Sequence, residues 1–275
     1  MPTHSDIDIR MKEYYENRYR MKLTRRTPVI VRIDGKAFHT FTRGFEKPFD
    51  YLLIDAMQGT TKYLCEHVEG CVFGYTQSDE ISLLLIDYKR LNCAAYFDYN
   101  VQKIASITAS MATLAFNRIF SNSVYKIEEN EEEDQNYINA LFRAVNQGAL
   151  FDSRCFNIPK EEVCNYFYSR QIDAIRNSKE MAGRAYFSAN ELHKVNTTSI
   201  VSKLLEEKGI DWNEYPIPAQ RGTSFYKDYM DFERIIPKTE EVIKTNRSYW
   251  KIDKECPLFN ENRYYIEKWL NPEEE

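Results

Sequence analysis

Between Pro28 and Pro159 the spacing of apolar positions switches repeatedly between two and about 3.6, and each switch marks an element. Residues 29–34 alternate, with Val29, Val31 and Ile33 on one face of a strand and Ile30, Arg32 and Asp34 on the other. Asp50 stands where a helix needs a cap, and Leu52, Leu53, Ala56, Met57 and Leu64 then repeat at helical spacing to about residue 67. Two apolar runs, 72–77 and 81–86, flank a polar bend and predict a hairpin. Residues 95–120 predict a long helix carrying Ala105, Ala109, Ala112 and Ala115 on one side, a stripe suited to close packing on a sheet. Residues 150–158 predict a further strand. Upstream, Ser5 is a plausible cap for a helix over 6–22. Downstream, helical patterns occupy 160–176 and 190–208, an irregular connector 211–218, and a short strand 223–226; residues 231–275 are charged and aromatic with no clear period. There is no internal repeat. The order strand, helix, strand, strand, helix, strand is the split βαβ pattern, so an α+β fold with an antiparallel sheet and helices on one face is expected.

A chain of 275 residues can bury a sizeable core as one large domain or two small ones, and 43% hydrophobic with 14% aromatic content is that of a folded globular protein. No apolar run approaches the roughly 18 residues needed to cross a bilayer, and the strongly polar residues 1–26 hold no signal-like apolar stretch, so a cytoplasmic protein without membrane contact is expected. The cysteines at 65, 71, 93, 155, 164 and 256 form no CxxC pair, which favours reduced, packed thiols. Cys65, His67 and Cys71 lie near one another but straddle a helix end, and no second ligand pair follows, which disfavours zinc.

A net charge of −5 and a pI near 5.6 do not advertise a nucleic-acid binder, but the average hides local structure. Seven Lys or Arg residues fall between Arg10 and Arg26, with Tyr14, Tyr15 and Tyr19 among them. Such a segment suits either phosphate tracking with base stacking or an amphipathic surface helix. Residues 128–134 are acidic at every position except Asn130, as in a solvated linker or helix tip.

Two acidic positions change the picture most. Asp34-Gly35 ends the first strand and Asp79-Glu80 occupies the hairpin bend. Read singly, the first is a turn signal and the second a polar tip. Read together, a sheet that joined the two runs would bring Asp34 and Asp79 to one divalent cation or a pair of them. Mg²⁺ takes oxygen ligands and leaves its other positions to water and phosphate, an arrangement that serves phosphoryl or nucleotidyl transfer. Spacing alone leaves both readings open.

Six segments then occur in order: Arg32-Ile-Asp34-Gly35-Lys36-x-Phe38-His39-x-Phe41, Lys47-Pro48-x-Asp50, Gly74-Tyr75-x-Gln77-Ser78-Asp79-Glu80, Phe151-Asp152-Ser153-Arg154, Arg170-Gln171-x-Asp173-x₃-Asn177 and Arg221-Gly222-Thr223. Together they resemble the tRNA(His) guanylyltransferase family and its Thg1-like relatives, over roughly residues 29–226. The resemblance implies a polymerase- or cyclase-like palm over residues 1–158, with the N-terminal helix, and a mainly helical C-terminal region over 159–275 that contributes to nucleotide and tRNA binding. It implies Asp34 and Asp79 as metal-binding carboxylates, Gly35 contributing its carbonyl, and Glu80 as an outer ligand or a support for Asp79. Two Mg²⁺ ions are implied. Lys36, His39 and Lys47 fall where a triphosphate tail would lie, and Lys103 and Arg154 are candidates for a second nucleotide or the RNA 5′ end. Phe38, Ser78 and Asn177 complete the implied nucleotide-binding set.

The implied reaction extends RNA from 3′ to 5′. A 5′-monophosphorylated tRNA is activated with ATP to a 5′-adenylylated end; the 3′-hydroxyl of an incoming NTP, GTP among them, then attacks that end and expels AMP. A 5′-triphosphate end skips activation. The chain departs from the eukaryotic pattern at Ile175-Arg176-Asn177-Ser178, where His-Ile-Asn-Asn is usual, and at Gln220-Arg221-Gly222, where two basic residues precede the glycine. Both departures favour template-directed repair of 5′-truncated tRNA, with G addition to tRNA(His) as a side activity. The rival is a palm-type nucleotide cyclase or dinucleotide synthase acting on NTPs without tRNA; its glycine-rich acidic turn is replaced here by Gln77-Ser78-Asp79-Glu80. The resemblance also implies a homotetramer built as a dimer of dimers.

Overall fold

Val29, Val31 and Ile33 on one side and Ile30 on the other are all closed to solvent, so β1 (Val29–Gly35) has both faces covered and must lie inside a sheet. The structure, a computed structural model, describes residues 4–128, 134–235 and 242–271. In chain order the elements are α1 (His4–Met11), β1, α2 (Phe38–Phe41), α3 (Tyr51–His67), β2 (Cys71–Gln77), β3 (Glu80–Leu85), α4 (Val101–Glu128), α5 (Gln135–Gln147), β4 (Phe151–Asn157), α6 (Lys160–Tyr186), α7 (Thr197–Lys208), α8 (Ile217–Arg221), β5 (Thr223–Ile235), β6 (Val242–Asp253) and α9 (Tyr264–Glu267). The six strands form one sheet in the order β4-β1-β3-β2-β5-β6, antiparallel throughout. The fold is therefore α+β.

The expected strand, helix, strand, strand, helix, strand unit is present as β1-α3-β2-β3-α4-β4. Asp50 caps α3 by accepting the Leu53 amide at 2.8 Å, and the Tyr137 hydroxyl donates to the same carboxylate at 2.9 Å. Helices α3 and α4 pack on the face that carries Val29, Val31 and Ile33, around Phe116 and Phe120. The other face is covered too: Val163, Cys164 and Phe167 of α6 pack on Ile30, Phe73 and Leu84. Helices therefore lie on both faces of the sheet, because the C-terminal region returns across it.

That region also departs from the mainly helical expectation. It supplies β5 and β6, and β5 pairs with β2 from Thr223 to Tyr226, so the sheet runs unbroken past residue 158. From Lys227 onward β5 pairs with β6 alone, and Tyr229 and Met230 are exposed. Residues 228–231 and 245–249 of this ribbon are not buried, and a stretch buried on neither face leaves no alternating apolar signal. Helix α5, flanked by the Asp134 cap and Gly148 at φ +69°, was not expected; the acidic positions 129–133 before it lie outside the described residues. Helix α6 runs ten residues past the predicted end at 176, and α7 starts only at Thr197, where Asn196 caps it through the Ser199 amide.

The N-terminal helix is under way at His4, so Ser5 lies within its first turn rather than capping it. It continues through a π turn, Lys12–Glu16, and a 3₁₀ turn, Asn17–Tyr19, and no residue of this stretch is buried. Among the described residues no helix is long and apolar enough to cross a membrane. Cysteines 65, 71, 155, 164 and 256 are buried free thiols and Cys93 is half-buried. His67 is exposed and stacks on Tyr63.

Candidate active site

Register fixes the site. Asp34 of β1 stands opposite Asp152 of β4 and Glu80 of β3, and Glu80 stands opposite Gln77 of β2. Directly opposed residues of antiparallel strands project from the same face, so these four form a row across the sheet on the α6 side. The next row holds Arg154, Arg32, Ser82 and Tyr75, and the α6 face beyond is apolar, with Phe156, Ile30 and Leu84. Along a few residues the surface passes from apolar to basic to acidic.

Asp79 lies just beyond the acidic row, at the bend between β2 and β3. Ser78 reaches that bend with φ +49°, and its hydroxyl donates to Asp79 Oδ1 at 3.1 Å. The Gly35 amide donates to the Asp79 carbonyl at 3.1 Å, which ties the end of β1 to the bend and puts Asp34 beside Asp79. Burial raises the Asp79 carboxyl above its usual range, and the charge of Asp34 adds to the rise. Gly35 is itself constrained: a Cβ there would stand 2.3 Å from the Phe38 ring. Phe38 is buried against Phe41, Phe116 and Phe151, so the aromatic core beneath the sheet presses on the backbone that carries the first carboxylate.

Glu80 is buried between two guanidinium groups. Its Oε2 forms an ion pair with Arg32 Nη2 at 3.1 Å and accepts from Arg170 Nη1 at 3.4 Å, while Oε1 has no partner among the described residues. Burial raises its pKa, and the two arginines pull the other way. Arg32 also approaches Asp34 at 3.7 Å, and Arg170 is braced by Asp173 at 2.8 Å. Helix α6 supplies these partners from one stripe: Tyr166 meets the Ser82 hydroxyl at 2.9 Å, Arg170 meets Glu80, and Asn177 follows at helical spacing. Arg32 and Arg170 are the members that sequence reasoning left without a role. The signal was available, because Arg32 alternates with Asp34 on one strand face.

A slot opens beside the bend. Asp50, Leu53 and Ile54 of the α3 start, Gln77 and Ser78 of the bend, Ala174, Asn177 and Ser178 of α6, and Pro218 and Ala219 of α8 line it. The structure thus brings Ser78 and Asn177, distant in sequence, to one cavity. Residues at and beside the two departures have visible roles here. Ser178 is buried and accepts the Trp212 indole N–H at 3.0 Å. Arg221 Nε donates to the Cys256 carbonyl at 3.1 Å, and at Gly222 (φ +85°) a Cβ would fall 2.5 Å from the Thr76 carbonyl oxygen.

The remaining predicted residues are more scattered. Lys36, His39 and Lys47 are exposed in the stretch that follows β1. Arg154 is held by Asp152 at 2.7 Å on the edge strand. Lys103 lies in the first turn of α4, on the other side of the sheet, with its ammonium 6.0 Å from the Phe97 ring centre; the structure does not bring it to the acids.

The donor set suits a hard cation. Asp34 and Asp79 offer two adjacent carboxylates with the Gly35 backbone next to them, and Mg²⁺ is commonly held by one or two carboxylates with water and phosphate filling the rest. Among the described residues no group of three or more His, Cys, Asp or Glu side chains forms a complete metal cage.

Comparison with known proteins bears on the sequence and the fold. The family model described as tRNAHis guanylyltransferase (Thg1) matches residues 8–159. A bacterial tRNA(His) guanylyltransferase (Thg1)-like protein solved in complex with ATP is 38% identical, with a TM-score of 0.77 over 96% of this chain and 99% of that one. A bacterial Thg1-like protein solved with GTP is 37% identical, with a TM-score of 0.74 over 96% of this chain and 98% of that one. The tRNA(His) guanylyltransferase of Debaryomyces hansenii is 27% identical over 223 residues, 76% of each chain. With the acids in register on one sheet face and the family motifs gathered about them, the chain belongs to the tRNA(His) guanylyltransferase (Thg1) family of nucleotidyltransferases.

Proposed function

We propose that this protein is a 3′-to-5′ nucleotidyltransferase that adds nucleotides to the 5′ end of tRNA, chiefly by template-directed repair of 5′-truncated tRNA. The observation that carries the reading is the junction of Asp34 and Asp79 next to a slot walled by Ser78 and Asn177. Residues 1–158 would act as a palm-like catalytic unit, and residues 159–275 would complete the nucleotide and RNA sites.

Asp34, Asp79 and the Gly35 carbonyl would hold Mg²⁺. Bound there, Mg²⁺ supplies charge neutralisation at the phosphorus under attack and at the departing oxygen. Glu80 keeps Arg32 and Arg170 in place and so fixes the field at Asp34, whereas Asp79, with no cation of its own among the described residues, is left for the metal. Asn177, Gln77 and Ser78 offer hydrogen bonds inside the mostly apolar slot, which suits the edge of a nucleobase. Lys36, His39 and Lys47, exposed after β1, would meet a triphosphate tail, and Arg154 a second nucleotide or the RNA 5′ end. Template direction comes from pairing with the acceptor strand, so the protein need only hold backbone and shape.

The test is an extension assay with Mg²⁺, labelled nucleotide and two substrates: a tRNA lacking its first 5′ nucleotide, and full-length tRNA(His) lacking its extra G. Asp79→Ala is the blank. Faster, template-matched addition to the truncated species is expected. Preference for tRNA(His) would restore a dedicated guanylyltransferase, and labelled products from NTP alone would favour a cyclase.

A further inference from the structure

The slot has an aromatic apron that the reaction chemistry leaves unused. Phe49 lines the slot and packs edge-on against Tyr215, ring centres 5.0 Å apart. Tyr215 is in hydrogen-bonding reach of Tyr186, and its pKa is pushed up to about 12 by burial and that neighbour, with Tyr51 contributing. Met181, also on the slot wall, is 43% exposed, Tyr51 45% and Tyr186 40%. Phe49 and Met181 line the slot, Tyr51 follows the slot residue Asp50, and Tyr186 neighbours Tyr215; exposed aromatic and apolar side chains beside a cavity are not accounted for by core packing.

The loop that carries Tyr215 is held from behind. Gln220 is buried and its side-chain amide donates to the Asn213 and Tyr215 carbonyls, which fixes the Tyr215 backbone to α8, itself a wall of the slot. Trp212, three residues earlier, is pinned to Ser178 of the slot through its indole N–H. Lys179 lies over the Trp212 ring at 4.7 Å, so a cation stands beside the slot with its stem spread on an aromatic face. A loop held in this way loses little freedom when a partner arrives, and a neighbouring ammonium suits a partner that carries phosphate.

We propose that Tyr51, Tyr186 and Met181 form a stacking platform for an unpaired nucleobase of the RNA substrate, next to but separate from the base held in the slot. This rests on the reading of the protein as an RNA 5′-end nucleotidyltransferase. Two features argue for a base as the occupant: the apron adjoins the slot through Met181 and the Phe49–Tyr215 ring pair, and it combines exposed aromatic side chains with the Lys179 ammonium nearby. Stacking on such rings tolerates every base, which fits an enzyme that takes its sequence from pairing.

The experiment uses full-length protein and a 5′-truncated tRNA carrying 2-aminopurine at the unpaired position next to the acceptor end. Binding to wild type should quench the fluorophore. Tyr51→Ala with Tyr186→Ala should abolish the quench and raise KM for the RNA roughly 5- to 150-fold, the range of one stacked base. KM for the incoming NTP and the melting temperature should stay near wild type, and Tyr51→Phe should retain the quench. If wild type extends the RNA and the double Ala variant shows the same quench and the same KM, the platform is overturned and the enzyme reading stands. If wild type neither binds nor extends the RNA, both are overturned.

Discussion

The two faces of the central sheet are built from the same strands and have opposite characters. The face under α3 and α4 takes Val29, Val31, Ile33, Ile81, Leu83 and Leu85, all closed to solvent and apolar. The face under α6 takes the alternate residues of the same strands, and there the acids, arginines and hydroxyls collect. Period-two alternation lets one strand anchor a core and carry a reactive centre at once. One face can be greasy because the other is free to hold charge that would otherwise destabilise the fold.

Substitutions on the two faces should therefore fail in different ways. Phe116→Ala on the apolar face should cost roughly 3–5 kcal/mol of unfolding free energy by denaturant titration. The folded fraction should keep near-normal nucleotidyl transfer. Asp79→Asn should behave in the opposite manner. Transfer should fall by about 10²–10³-fold, as when a group that stabilises transition-state charge is lost. Stability at neutral pH should not fall. Burial holds the Asp79 pKa above its unfolded value, so its charged form costs stability at neutral pH, and that cost fades as pH drops through the folded-state pKa. The gap in melting temperature between variant and wild type should narrow on acidification, and Mg²⁺ should raise the melting temperature of wild type alone.

Arg170→Ala should sharpen the contrast within the charged face. Glu80 would keep only Arg32, at a cost of roughly 1–3 kcal/mol. The Glu80 pKa should rise further, so the destabilisation is full above that pKa and lessens as pH falls through it; denaturation at pH 8 and pH 5 would show the difference. Smallest of all, Tyr166→Phe removes the hydrogen bond to Ser82 at about 1 kcal/mol, with the ring still packed on Phe167 and little change in transfer.

What could be read beforehand follows from the same alternation. Strands β1 to β4 bury at least one face, so periodicity exposed them, and Asp34 and Asp79 stood out as carboxylates next to apolar runs. The pairing of Asp34 with Glu80 and Asp152 was invisible, because register is a property of two strands together. Phe38 falls within a motif, which does not tell a nucleotide contact from a core residue, and the packing of its ring under Gly35 becomes visible only in three dimensions. Ser78 and Asn177 meet in one slot only because α6 doubles back over the sheet, a tertiary event with no local signature. The outer β5–β6 ribbon was hidden for the opposite reason, since its residues 228–231 and 245–249 are not buried on either face and need not alternate.

The hydrogen bond from the Gly35 amide to the Asp79 carbonyl gives the molecule a built-in gauge of its own readiness. That proton can exchange with deuterium only when the tip of β1 parts from the hairpin bend, an event that also separates the two carboxylates. Its exchange rate therefore counts how often the centre comes apart in a resting protein, before any substrate arrives. A cation or nucleotide that holds the two acids together should slow this amide more than amides deep in β1, whose protection reflects opening of the whole sheet.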